Sequence, residues 1–317
     1  MVERFDVNFV AHTDDDIVYM QPDIYYSYRA GRGQVGVALT AVTNIYWNDM
    51  AHARRLESGA MDASAQMGLL KAQQAGAQSG TVRWRISTAM HAGFPVTTAD
   101  CIDYPDLRWI FLRLPGAPSK ANEAWHLDFA GHDPGTPFPR LQDLWSGSVQ
   151  TLAPADSGTT GLALSKDHVI EILTSILTAY RPQHVRVTDF RTQPSGDAAS
   201  LDYDHQDHYY TGLFAREAIR RYAQATPGDT QFWVYRGYNT ASRPRNLQQS
   251  DRDNKAWCLY YLSLNIPEFG AFDRALGITE NDQDNTKSQW QNQIYAQWLW
   301  RQYSDQFTPD QPGDRHA

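Results

Sequence analysis

One histidine and three consecutive aspartates follow an apolar stretch near the start of the chain. Residues 5–11 are mostly β-branched, aromatic or small, as in a buried strand of a parallel sheet. His12 and residues 14–16 come next, and imidazole with carboxylate suits zinc better than calcium or magnesium. One aspartate could bind the metal while its neighbour acts as a base. The alternative is a solvated turn whose last aspartate caps the following helix.

A second cluster of imidazoles and carboxylates lies about 190 residues later, at the start of an amphipathic stretch that extends to about residue 223. His205 and His208 are three residues apart, so they share one face if a helix begins there. Asp204 or Asp207 could orient an imidazole through its second ring nitrogen. Alone, this cluster could also be an acidic helical turn with two exposed histidines, but two such clusters in one chain favour a shared metal site.

The two clusters together resemble the signature motifs of the PIG-L/LmbE-like zinc-dependent de-N-acetylase family. Those motifs are usually HPDDE, or HxDDD in one branch, and HxDH. Thr13 replaces the common proline and Asp16 the common glutamate. Other segments resemble the family's second strand, its RxxE helix and the strand before the second motif, in the same order: residues 35–42, 54–57 with 67–68, and 181–187. The resemblance covers about residues 4–225 and, more weakly, the rest.

The resemblance implies an α/β fold of the Rossmann-like, three-layer type, with a mostly parallel central sheet. The metal site would lie at the C-terminal ends of the strands, where open α/β sheets bind ligands. We expect a single domain over residues 1–317. It would contain a loop insertion at about 115–165, where prolines and glycines recur, and a helical C-terminal portion at about 250–305.

Hydrophobic periodicity predicts the individual elements and their βαβ order. The predicted strands are residues 5–11, 35–42, 82–86, 109–114, 184–190 and 232–238. The predicted helices are residues 23–30, 49–75, 166–180, 205–223, 253–264 and 288–303.

On the resemblance, we expect one Zn²⁺ per chain, or another divalent transition metal, bound by His12, Asp15 and His208. Asp14 would be the general base. His205 would stabilise the oxyanion and protonate the leaving amine. The residues expected to support the ligands and the turn from outside are Asp16, Asp204 and Asp207.

Three further residues are candidates for contacting substrate. Tyr46 and Trp47 follow the second predicted strand, where they could stack on a sugar ring or pack under the next helix. Arg54 lies one helical turn before Glu57, a spacing that favours an intrahelical ion pair. The resemblance suggests that Arg54 also contacts the substrate near the metal.

Composition restricts the class of protein. A net charge of −8 without a basic stripe argues against a nucleic-acid partner. The apolar segments are too short for a membrane span, and the two cysteines are too few for a disulfide scaffold. Without a basic segment and an apolar core at the start, the sequence as given predicts a cytoplasmic protein, or a secreted one if a signal peptide was removed.

These observations predict a hydrolase that removes an acetyl or other acyl group from the amine of an amino sugar or glycosylated metabolite. Its partner would be a small N-acylated sugar or glycoconjugate. Two alternatives remain open at this point. One is a metal-dependent phosphoesterase, which would need carboxylates for a second metal. The other is a carbohydrate-binding protein that keeps the fold without catalysis.

Overall fold

A computed structural model describes residues 4–42, 50–74, 82–117, 139–157, 161–194, 204–265 and 298–309. In these ranges eight strands form one sheet in the order β3-β4-β5-β2-β1-β6-β7-β8. The strands are β1 Phe5–Val10, β2 Gly33–Val42, β3 Trp84–His91, β4 Phe94–Cys101, β5 Leu107–Pro115, β6 His184–Thr188, β7 Gln231–Tyr235 and β8 Ser304–Phe307. The five central strands are parallel, and the outer pairings β3·β4, β4·β5 and β7·β8 are antiparallel.

Helices cover both faces of this sheet, as an α/β fold of the Rossmann-like type requires. The described helices are α1 Asp15–Tyr19, α2 Asp23–Arg29, α3 Met50–Gln74, α4 Leu141–Ser146, α5 Lys166–Tyr180, α6 Gln206–Ala225 and α7 Gln249–Ser263. One hydrophobic core lies between the sheet and the helices α4, α5 and α6. A second core lies between the opposite face of the sheet and α1, α2, α3 and α7. The three-layer arrangement is therefore confirmed.

The parallel pairing of β1 with β6 determines where the two histidine clusters meet. Val7 pairs with Val185 and Phe9 with Val187, so both strands end at the same edge of the sheet. The hydroxyl of Thr188, the last residue of β6, donates to the His208 carbonyl at 2.6 Å and so fixes the first turn of α6 beside that edge.

Most predicted elements are confirmed, and α5 has the predicted bounds. The strand β4 was missed, because its first residues are Phe94 and Pro95 and proline is unusual within a strand. The segment 115–165 is not a loop throughout, since it contains α4 and a bridge between Leu152 and Leu164; residues 118–138 lie outside the described ranges.

The structure differs more from the sequence prediction at the C-terminal helix. Residues 288–297 lie outside the described part of the chain. Beyond them the chain forms β8, which pairs with β7 through Val234 and Asp305 among others. Among the described helices, none is both long enough and apolar enough to cross a membrane.

Buried polar residues interrupt the apolar pattern of β1. Asp6 and Asn8 point towards the side of α2, and Arg186 donates to both of them at 3.1 Å. Burial would raise the pKa of Asp6, but the hydrogen bond from His184 and the charge of Arg186 outweigh it and hold that pKa well below its usual range. The strand is therefore fully buried even though it carries an ionised carboxylate.

The helix α6 lies close to β6 at Gly212, one turn beyond His208. We expect no room there for an added side-chain atom. A Cβ there would lie 2.5 Å from the Thr188 carbonyl oxygen. Gly212→Ala should therefore lower the free energy of unfolding by about 1–3 kcal/mol, measured by urea denaturation. The matched control is Gly228→Ala, because a Cβ at Gly228 meets nothing within 4 Å. Equal stability of the two variants would contradict the described contact.

Candidate metal centre

Three donor atoms from both sequence clusters converge at the shared edge of β1 and β6. The Asp15 Oδ1 atom lies 3.4 Å from His12 Nδ1 and 3.1 Å from His208 Nε2. All three side chains are buried. Two imidazoles and one carboxylate form the open ligand set of a catalytic zinc site, which leaves a position for water.

The carboxylate of Asp15 is held by the backbone that precedes it. Its second oxygen, Oδ2, accepts hydrogen bonds from the amides of Ala11 at 2.9 Å and His12 at 2.8 Å. The hydroxyl of Thr40 on β2 in turn donates to the Ala11 carbonyl at 2.7 Å. Asp15 Oδ1 therefore faces the two histidines in a fixed orientation.

Each of the two histidines has a carboxylate on its other ring nitrogen. His208 Nδ1 lies 2.6 Å from Asp204 Oδ1, and His12 Nε2 lies 3.2 Å from Asp207 Oδ2. Such partners fix the tautomer and the orientation of metal-binding imidazoles. The Ala117 amide, just beyond β5, also donates to Asp207 Oδ2 at 2.7 Å. The structure thus places Asp204 and Asp207 beside the two imidazoles.

The donor atoms fit a zinc ion. His208 Nε2 is buried, and it faces Asp15 Oδ1 at 3.1 Å without the angles of a regular hydrogen bond. Bonds of about 2.0–2.1 Å to a tetrahedral zinc place ligand atoms roughly 3.3–3.4 Å apart, close to the separations from Asp15 Oδ1. The backbone of Gly237 also packs closely against this site. A Cβ at Gly237 would lie 2.4 Å from Asp204 Oδ1 and 2.6 Å from His208 Nδ1.

A second set of three side chains, His12, His205 and Asp207, is also compact enough to hold an ion. It shares His12 with the first set. Its carboxylate oxygen Oδ2 already accepts from the Ala117 amide and faces the His12 ring. These residues are therefore better explained as the support of the first set than as a separate ion site.

His205 is the N-cap of α6, and its ring is neutral. Its Nδ1 accepts a hydrogen bond from the Asp207 amide at 3.2 Å, so the neutral ring carries its proton on Nε2. Burial, together with the nearby charges of His12 and His208, lowers the pKa of His205 to about 3 even though Asp207 raises it. The ring lies against that of His12, with centroids 4.8 Å apart.

Asp14 and Asp16 flank the Asp15 ligand position but occupy different surroundings. Asp14 is partly exposed, and its carbonyl accepts the Val18 amide at the start of α1. Asp16 is buried and lines a separate small cavity with Asn8 and Gln34. Its Oδ1 accepts the Ile17 amide at 2.8 Å, and burial raises the pKa of this carboxyl well above its usual value. Asp16 therefore supports the first turn of α1 from a buried position away from the donor atoms.

The predicted substrate residues are not gathered at this site by the described contacts. Arg54 is exposed on α3, and Glu57 binds a different partner: its two carboxylate oxygens accept from Arg113 at 2.6 and 2.7 Å. The expected pair of Arg54 with Glu57 is thus wrong, because β5 brings a buried guanidinium to the same carboxylate. Tyr46 and Trp47 lie outside the described residues.

The sequence prediction missed three residues beside the histidines. Tyr238 packs edge-on against His208, with ring centroids 5.1 Å apart, and stacks on Trp298 at 4.9 Å. Gly237 and Tyr238 follow β7, another parallel strand, so their place at the same sheet edge was the available signal. Trp298, the third of these residues, is buried in that stack.

Comparison with known proteins does not assign a family to the chain. No family model and no curated protein matches it. Structurally similar chains include GalB, the 4-carboxy-2-hydroxymuconate hydratase of Pseudomonas putida, at 13% identity and a TM-score of 0.41 over 82% of this chain and 78% of that one. They also include N,N'-diacetylchitobiose deacetylase of Pyrococcus horikoshii, at 12% and 0.36 over 83% and 69%. A third is a zinc-inhibited form of teicoplanin deacetylase Orf2, at 9% and 0.41 over 84% and 85%. A likeness at these values says nothing about activity.

Without a metal, protons compete for the same donor atoms. Burial lowers the pKa of His12, but the charges and hydrogen bonds of Asp15 and Asp207 outweigh it and raise that pKa to about 9. His208 shifts in the same direction through Asp15 and Asp204, against its burial. Binding an ion must therefore displace protons from imidazoles that hold them more strongly than usual.

We therefore expect the apparent zinc affinity to keep rising with pH above neutrality. Each displaced proton contributes about tenfold per pH unit below the raised pKa, whereas an ordinary histidine levels off above about pH 6.5. Competition with a coloured chelator between about pH 6 and about pH 9 measures this. Asp207→Asn removes a carboxylate that raises the pKa of His12. The apparent zinc affinity of this variant should therefore level off at a lower pH than that of the wild type. An affinity that is constant above neutrality would contradict the described ion pairs.

Proposed function

We propose that this protein is a zinc-dependent amide hydrolase that removes an acetyl or other acyl group from the amine of an amino sugar or glycosylated metabolite. The observation that carries the proposal is the convergence of His12 Nδ1, Asp15 Oδ1 and His208 Nε2 beside a neutral His205. The type of reaction and the class of substrate are both inferred from the sequence resemblance to the PIG-L/LmbE-like de-N-acetylases.

Zinc, when bound by His12, Asp15 and His208, would lower the pKa of a bound water and polarise the carbonyl of the amide. The remaining steps belong to the chain. The Asp14 carboxylate, partly exposed at the same turn, would accept a proton from the attacking water. The water oxygen then bonds to the carbonyl carbon. Asp15 is unsuited to this role, because its two oxygens are occupied by the histidines and by backbone amides.

His205 would act on the other side of the amide. Its Nε2–H can donate a hydrogen bond to the carbonyl oxygen as negative charge develops there, because Nδ1 is occupied by the Asp207 amide. When the carbon–nitrogen bond breaks, the proton that Asp14 took from the water passes to the amine nitrogen, and the products are a carboxylate and a free amine. The expected role of His205 as the acid is thus replaced by that of a hydrogen-bond donor, since the neutral ring has no acidic proton to give. One such donor to a developing oxyanion is worth about 10²–10³-fold in rate.

The supporting carboxylates keep these roles distinct. Asp204 holds His208, and Asp207 holds His12 through its side chain while its backbone amide holds His205. All three contacts are buried, where hydrogen bonds to charged groups are strong and their loss is costly. The start of α6 thus fixes both a ligand and the donor to the oxyanion relative to β1.

The three consecutive aspartates allow a sharp test with isosteric variants. We expect Asp15→Asn to lose zinc, and Asp14→Asn to keep zinc but lose at least about 10²-fold in kcat. Asp16→Asn should keep both, because its carboxyl faces a separate cavity and the asparagine oxygen can still accept from the Ile17 amide. Zinc content is measured by elemental mass spectrometry, and turnover by acetate release from N-acetylglucosamine and its glycosides.

Near-normal turnover by zinc-loaded Asp14→Asn would mean that another residue is the base. A loss of zinc in Asp16→Asn as complete as that in Asp15→Asn would contradict the assignment of the ligand. Phosphate release from sugar phosphates by a protein with two metals per chain would replace the proposal with a phosphoesterase.

A further inference from the structure

The strand β5 contains an irregular step close to its carboxyl end. Between its pairs with residues 38 and 40 of β2, it advances by three residues, from Phe111 to Leu114, instead of two. The extra residue makes a β-bulge, a feature that is common beside active sites and redirects the chain that follows. Arg113 lies in this bulge and has a φ of 56°, in the left-handed region where a residue other than glycine is unusual. Other contacts must therefore stabilise this conformation.

The guanidinium of Arg113 is the centre of those contacts. Its Nε and Nη2 atoms donate to the two carboxylate oxygens of Glu57 on α3, at 2.6 and 2.7 Å. Its Nη1 atom donates to the Thr97 hydroxyl on β4 at 2.9 Å and to Asp156 Oδ2 at 2.5 Å. The Arg113 carbonyl accepts from the Ala155 amide at 2.8 Å. Three other segments of the chain thus hold the bulge, and the ion pair with Glu57 is buried.

The chain that follows the bulge reaches the metal centre. Two residues beyond the end of β5, the Ala117 amide donates to Asp207 Oδ2 at 2.7 Å. The same oxygen lies 3.2 Å from His12 Nε2, and the Asp207 backbone amide donates to His205. Displacing Ala117 would remove a donor from a buried carboxylate, so the imidazole beside that carboxylate would lose its fixed orientation. Among the described contacts, none joins the Arg113 side chain to a proposed ligand, so its effect on the site must pass through the backbone.

We propose that Arg113 is a positioning residue for the metal centre: its ion pair with Glu57 holds the bulge of β5 and thereby the Ala117 amide against Asp207. The inference rests on the proposed function, because it concerns the carboxylate that orients a proposed zinc ligand. Loss of a group that orients a metal-binding histidine typically lowers metal affinity or activity by about 10–100-fold. Arg113 acts one contact further away, so we expect an effect at the lower end of that range.

The first variant is Arg113→Gly, because glycine adopts the left-handed conformation without strain and the variant therefore tests the side chain alone. Its zinc dissociation constant, measured by competition with a chelator, should rise about tenfold relative to the wild type. In an Asp207→Ala background, where the acceptor of the Ala117 amide is absent, Arg113→Gly should add little further loss. Turnover by the zinc-saturated proteins, measured as acetate release, should fall in the same pattern.

A second variant covers the case in which a buried Glu57 without its arginine prevents folding. Glu57→Gln keeps the size of the side chain but replaces the ion pair with a neutral hydrogen bond, and should raise the same dissociation constant about threefold. The control for a general loss of stability is Leu177→Ala. Leu177 is buried near the C-terminal end of α5, where Tyr180 contacts Phe5 at the start of β1, so it lies at the edge of the sheet opposite the metal centre. This control should bind zinc like the wild type even though a truncated core side chain lowers its stability.

Three results would overturn the inference. An unchanged zinc affinity in both Arg113→Gly and Glu57→Gln would show that the ion pair does not position the site. An equal loss of affinity with and without the Asp207 carboxylate would show that Arg113 acts through other contacts. A comparable loss in Leu177→Ala would assign the effect to stability alone.

Zinc binding and acetate release together separate this inference from the proposed function. If the zinc affinities show the expected coupling of Arg113 with Asp207 but no N-acyl sugar releases acetate, the hydrolase fails while the positioning role stands. If acetate is released and Arg113→Gly leaves both zinc affinity and turnover unchanged, the hydrolase stands and the inference fails. If the wild type binds no zinc, both proposals fail.

Discussion

Parallel pairing of β1 with β6 is the constraint on which the rest of the site depends. It joins two segments almost 200 residues apart in the chain and ends them at one edge, so that residues 12–15 and residues 204–208 face each other. Parallel strands require a long crossover, and here that crossover contains β2 to β5 and α1 to α5. A one-residue slip between β1 and β6 would turn alternate side chains to the opposite face and separate His12 from His208.

Burying so many ionisable groups at this edge requires compensation. Asp15, Asp204 and Asp207 are each almost completely buried, and each faces an imidazole and at least one backbone amide. An unpaired buried polar group costs about 1–3 kcal/mol, and a charged one costs more. A bound divalent cation would balance the remaining carboxylate charge and bind the buried His208 Nε2 together with Asp15 Oδ1. The electrostatics of the fold and the proposed chemistry therefore favour the same occupant.

Local patterns in the sequence were sufficient to predict the strands and helices that carry the proposed ligands. The apolar run before His12 and the 3.6-residue period of residues 166–180 are signals that depend on near neighbours only, and both elements form where they were predicted. The spacing of His205 and His208 likewise indicated one helical face. Two residues three apart on a helix have this relation in any fold.

Features that depend on contacts between distant segments could not be predicted in this way. Glu57 has an arginine at the favourable helical spacing, yet it binds Arg113 from β5, because only the folded sheet brings that side chain there. Tyr238 became part of the site because β7 ends at the same edge as β1 and β6. Lys255 on α7 donates hydrogen bonds to three carbonyl groups from α1 and the C-terminal segment, and no sequence period predicts these contacts.

X-ray absorption at the zinc edge of the zinc-loaded protein can show whether His12, Asp15 and His208 together bind one zinc ion, with His208→Ala measured beside the wild type. We expect nitrogen and oxygen ligands at about 2.0–2.1 Å. The wild type should show two imidazoles, and the variant should show one imidazole or no bound zinc. Sulfur ligands at about 2.3 Å, or the same two-imidazole spectrum in His208→Ala, would contradict this ligand set.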